Sequence, residues 1–115
     1  MRATISMIFE VSGDGDLDAQ TDLVFEALLA LEEEDQTLCD ADLDVILSER
    51  LVTVRISVMG ETLDVVLQTG GSAIRTAIHA AGGGTPGWTN PTPNDAAPYS
   101  SDFELRDQRL IPVNS

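Results

Sequence analysis

The sequence predicts an α+β sandwich in which two helices cover one face of a four-stranded antiparallel sheet. Three observations carry that prediction. Two neighbouring stretches, 43–47 and 52–58, alternate apolar and polar residues with period two across a short polar break. Two longer segments, near 16–33 and 61–81, repeat apolar residues at helical spacing. Shorter alternating stretches lie at either end, so the order is strand, helix, strand, strand, helix, strand.

The first strand spans 3–11, with Ile5, Met7, Phe9 and Val11 on one face and Thr4, Ser6, Ile8 and Glu10 on the other. Residues 12–15 break it, and Asp16 or Asp18 is placed to cap a helix running to about Glu33. Gln20, Val24, Ala27, Leu28 and Leu31, with Leu23 beside them, form its buried stripe. The outer face is acidic: Asp18, Asp22 and Glu26 follow at i,i+4 steps without a basic partner.

The central hairpin sets Leu43, Val45 and Leu47 against Val52, Val54, Ile56 and Val58. A two-residue connection at Glu49 and Arg50 puts Leu47 opposite Val52, and Asp44 beside Arg55 on the other face. Glu-Arg lacks the Gly or Asn of a tight primed turn, which leaves room for a longer loop. The second helix buries Leu63, Val66, Leu67, Gly70, Ile74, Ala77, Ile78 and Ala81 and stops at Gly82, Gly83 and Gly84. Gly70 and Gly71 in its middle imply a bend or a close approach to the sheet. Phe103 and Leu105 make a short last strand that doubles back at Asp107 and Gln108, bringing Leu110 to Leu105. This order is the split βαββαβ of ferredoxin-like sandwiches, with residues 1–84 as the core of one domain. Residues 85–101 are a proline-rich extended segment, and 102–115 are the last strand and tail of the same domain.

Composition narrows the function. Cys39 and His79 are the only cysteine and histidine, so one chain cannot form an intrachain disulfide or a His-cluster metal site. All six basic residues are Arg, which excludes Lys chemistry and fits a GC-rich bacterial genome or a salty habitat. Fourteen acids lie between Glu10 and Glu49 with no basic residue among them, and the chain carries −14. Such a field repels nucleic acid and anionic membrane and favours cations or basic protein surfaces, and it also serves plain solubility. The longest apolar run has five residues, 27–31, far too short for a bilayer, and the start reads as a strand rather than a signal peptide. A cytoplasmic location is expected.

Asp14, Asp16 and Asp18 occupy positions one, three and five of a calcium loop, but Ala19 stands where Gly is needed and Phe25 where the bidentate Glu belongs. Helix capping explains the same aspartates, and no metal or other cofactor is expected. Cys39 lies among acidic neighbours that disfavour an activated nucleophile, and no catalytic residue is expected. Trp88 and Tyr99 flank the proline-rich segment, and one of them either pins it to the domain or serves as an exposed aromatic anchor for a partner.

The run AIHAAGGGTPGW at 77–88, after an acidic, Leu-rich first helix, resembles small uncharacterised proteins of actinomycete type with a ferredoxin-like fold. The resemblance covers about the first three quarters of the chain and implies no activity, cofactor or catalytic residue. The function expected from the residues is therefore a non-catalytic acidic protein-binding or accessory module. Its partner-binding residues are Asp18, Asp22, Glu26 and Trp88, and the open sheet face is a possible homodimer surface. The alternative is a small-molecule-binding protein or enzyme with a pocket on that sheet face, using Arg55 as an anion clamp and His79 as a second ligand group.

Overall fold

A computed structural model of the chain describes residues 1–13, 16–84 and 101–112. It is α+β, with strands β1 (Arg2–Gly13), β2 (Leu38–Ile46), β3 (Leu51–Met59), β4 (Gly83–Gly84) and β5 (Ser101–Pro112). Helix α1 (Leu17–Glu34) follows β1, and α2 (Leu63–Ala80) follows β3. The strands lie in the order β2-β3-β1-β5-β4. Every pair is antiparallel except β4 with β5, so the sheet is five-stranded and mixed rather than four-stranded and antiparallel.

The glycine triplet is the cause of that difference. Gly82 takes φ 83° just past α2, which only glycine adopts freely, and its N–H bonds to His79 O at 3.0 Å. The chain turns back onto the sheet there, and Gly83 packs where a Cβ would stand 2.8 Å from Ile78 Cγ2 and from the Phe103 ring. The residues expected only to stop a helix also add a strand, Gly83–Gly84 beside Ser101 and Asp102.

Both helices pack on one sheet face. Ala3, Ile5, Met7, Phe9 and Val11 from β1 and Val52, Val54, Ile56 and Val58 from β3 are buried there with Val24 and Leu28 of α1 and Val66, Ile74 and Ile78 of α2. Phe9 and Phe103 meet edge to face at 5.9 Å, an arrangement worth about 1 kcal/mol beyond the area it buries. Gln20 Nε2 donates to Ala81 O across the helix pair, tying the start of α1 to the end of α2. Gly70 resolves to the close-approach alternative: a Cβ there would fall on Ile5 Cδ1 and stand 3.1 Å from Val58 Cγ2.

Three further expectations are corrected. The β2–β3 loop has four residues, 47–50, so Val45 faces Val52 and Leu43 faces Val54, two residues away from the tight-turn register. A shift of two preserves the faces, and Leu47 leaves the sheet for solvent. β5 does not double back. It runs on for 12 residues past a bulge opposite Ile8 and Phe9, where Arg106 is the extra residue. The bulge flips the phase of the strand, so Leu105 and Leu110 both fall on the helix-covered face, opposite Phe9 and Ile5. On the helices, Leu23 and Leu63 are exposed rather than part of the buried stripes.

Candidate functional site

Helix α1 presents an outer face that nothing described covers. Asp16 caps the helix by accepting the Ala19 N–H at 3.2 Å, and Asp18 stands in the first turn, where the helix dipole favours its charge. Asp18, Asp22 and Glu26 are exposed, and among the described residues none of the three has an ion-pair partner. Leu23 at 51% and Leu29 at 40% exposure lie on the same outer side as Asp22 and Glu26. The helix is consequently acidic and apolar at once, with no cation anywhere along it.

The acids at its C-terminal end behave differently, because the fold uses them. Glu32 Oε1 accepts the Ala41 N–H at 2.8 Å. Asp35 Oδ1 accepts from the Thr37 hydroxyl at 2.6 Å and the Thr37 N–H at 2.9 Å, and these bonds, the hydroxyl first, lower its pKa below the ordinary carboxylate value. The helix dipole opposes a negative charge at this end, so the two Thr37 bonds outweigh it.

The opposite sheet face, which no described residue covers, carries four of the six arginines, each beside carboxylates. Arg55 Nη1 lies 2.7 Å from Asp44 and 3.2 Å from Asp42, and the Asp44 bond leads in raising its pKa further. Arg2 bonds Asp40 at 2.8 Å and donates to Cys39 Sγ at 3.2 Å. Glu10 and Glu104 stand directly opposite each other, a like-charge pair that would repel, and the bulged Arg106 reaches both, at 3.3 and 3.5 Å. Arg109 pairs with Asp107 at 2.9 Å. Arg55 and His79 are not brought together: Arg55 is on this face, whereas His79 is half-buried near the end of α2 in the helix layer.

Among the described residues, a cleft lies on the helix side. It is a shallow groove of about 630 Å³ where α1 and α2 splay, with Leu31, Leu38 and Ala73 among its lining, Thr69, Ser72 and Thr76 along α2 and Glu34 and Asp35 at its rim. Among the described residues no cluster of three or more His, Cys, Asp or Glu is placed to hold a metal ion. Asp14, Trp88 and the segment 85–100 lie outside the described residues.

Sequence reasoning missed two features. Arg75, four residues before His79, is buried at 6% exposure in α2, and a charged residue one position after Ile74 gives no such signal in a helical pattern. The contact between Arg2 and Cys39 joins two strands that are not neighbours in the sheet, and no spacing in the sequence encodes it. Among the described residues no helix is long and apolar enough to cross a membrane. In comparison with known proteins, no family model, curated protein or solved structure matches the chain.

Proposed function

We propose that this chain is a non-catalytic binding module whose α1 outer face receives a basic protein segment. The observation that supports it is the pairing of exposed Leu23 and Leu29 with Asp22 and Glu26 on a helix that has no cation of its own. Buried apolar contacts supply affinity in such an interface, and unpartnered carboxylates select a basic partner and speed its approach. Neighbouring Asp18 extends the acidic stripe by one turn. Trp88 is proposed as a second contact.

The fold proposed for the module is ferredoxin-like, with β4 as an addition at the sheet edge. The antiparallel order β2-β3-β1-β5 with both helices on one face supports this reading. The competing reading, a ligand pocket on the sheet face, needs Arg55 free at the base of a cleft. Arg55 is instead held between Asp42 and Asp44, and the groove seen among the described residues is on the other side of the sheet.

Replacing Asp18, Asp22 and Glu26 together by Arg is expected to leave the circular dichroism spectrum unchanged, because all three are exposed, and to abolish capture of the partner. Undiminished affinity of that variant for the partner contradicts the reading.

A further inference from the structure

The sheet face that no described residue covers interleaves arginines with carboxylates, and we propose that it is an interface between two copies of the chain related by a two-fold axis. It is a separate surface from α1, on the far side of the sheet, and the inference stands independently of the function proposed above. On this face four arginines stand among seven carboxylates, the six they pair with and Asp102 opposite Ser12, a balance of −3; the whole chain carries −14, so the remainder carries −11. Two copies of so acidic a chain repel where acids face acids, and the arginines interleaved with the carboxylates of this face reduce that repulsion.

A two-fold interface presents one patch to itself, so the patch must contain both signs of charge. The four Arg-carboxylate groups meet that requirement, and Arg109, whose side chain is 73% exposed, is the most exposed of the four arginines. The middle of the face is low, since Ser6 lies between Arg55 and Arg109 in the cross-strand register and Thr4 and Ser57 share a 2.9 Å hydrogen bond. Apolar side chains stand at both ends, Ile46 by the hairpin loop and Met59 and Ile111 at the other end, all exposed. They give a second copy something to bury beyond ion pairs, which alone are worth little at a surface.

The size is sufficient. Four strands about 4.8 Å apart and about 30 Å long give a plan of roughly 600 Å², comparable with the about 800 Å² of accessible surface that each partner buries in an interface of standard size.

Sedimentation equilibrium of the full chain tests the proposal. The expected mass is twice 12.3 kDa at micromolar concentration. Arg109→Glu with Ile111→Glu is expected to raise the dissociation constant at least about tenfold. Ile46→Glu, at the other end of the face, is expected to do the same, and Asp22→Arg on α1 to leave the dimer unchanged. A wild-type chain that stays monomeric up to about 100 µM overturns the proposal. So does a dimer that persists in folded forms of both sheet-face variants, or one that Asp22→Arg dissociates.

Discussion

Arg50 closes the β2–β3 loop at φ 53°, a left-handed conformation that costs a non-glycine residue about 1 kcal/mol. Two bonds to β1 hold it there: its carbonyl accepts from Val11 N at 2.9 Å and its Nε donates to Val11 O at 2.9 Å. Arg50→Ala keeps the strained backbone and loses the side-chain bond, whereas Arg50→Gly loses the bond but relieves the strain. Denaturant unfolding is therefore expected to find the Gly variant more stable than the Ala variant by about 1 kcal/mol. Equal stabilities would mean that the backbone is unstrained. Asp35 makes the complementary case in charge. Its folded pKa is lowered, chiefly by the Thr37 hydroxyl, so its contribution to stability is complete above the unfolded value of about 3.8 and disappears as pH falls through the lower folded value. The gap in melting temperature between wild type and Asp35→Asn is expected to hold steady above about pH 5 and to shrink as pH falls below about 3.8. A gap that does not change with pH would show that folding leaves the Asp35 carboxyl pKa unchanged.

At the scale of elements, α2 carries two adjacent glycines in opposite circumstances. Gly70 faces Ile5 and Val58 in a packed core, whereas a Cβ on Gly71 would meet nothing within 4 Å. Gly71→Ala is expected to stabilise the protein by up to about 1 kcal/mol through helix propensity alone, and Gly70→Ala to destabilise it by about 1–3 kcal/mol through overpacking. Thermal unfolding of the two variants decides this; shifts of the same sign contradict the packing. Only the alternative of bend or close approach was legible here, because a glycine pair in a helical pattern does not say which glycine meets the sheet. The faces of β1 and β3 were fully legible, since burial on one side leaves a period-two record. The hairpin register was not, because a slip of two residues returns every side chain to its own face. The bulge in β5 did leave a trace, the change from odd apolar positions, Phe103 and Leu105, to the even position of Leu110, which also fits a chain that doubles back.

Across the whole molecule, charge is sorted by layer. The helix layer holds unpaired acids on α1 and the sheet face holds arginines interleaved with carboxylates, although the sequence itself shows only an acidic half and a more balanced one. The α1 stripe of Asp18, Asp22 and Glu26 was legible because all three lie on one helix at fixed spacing. What it missed is that Leu23 and Leu29 share the outer side: apolar residues lie all round α1, and the helical pattern does not say which of them the second helix covers. The charge pairs of the sheet face were legible only at Asp44 and Arg55, since the rest depend on strand order, on the bulge at Arg106 and on the continuation of β5. The two surfaces lie on opposite sides of the sheet, so a basic partner and a second copy can be held at once.

Native mass spectrometry of the protein taken from its own cells, beside the Asp18, Asp22 and Glu26→Arg variant expressed in the same way, tests the central claim most directly. The account predicts that the wild-type chain carries a stoichiometric extra mass belonging to a basic protein, and that the variant keeps its own oligomeric mass but loses the extra one. A partner retained equally by both, or a wild-type chain that carries a small molecule or nothing beyond its own copies, would contradict it.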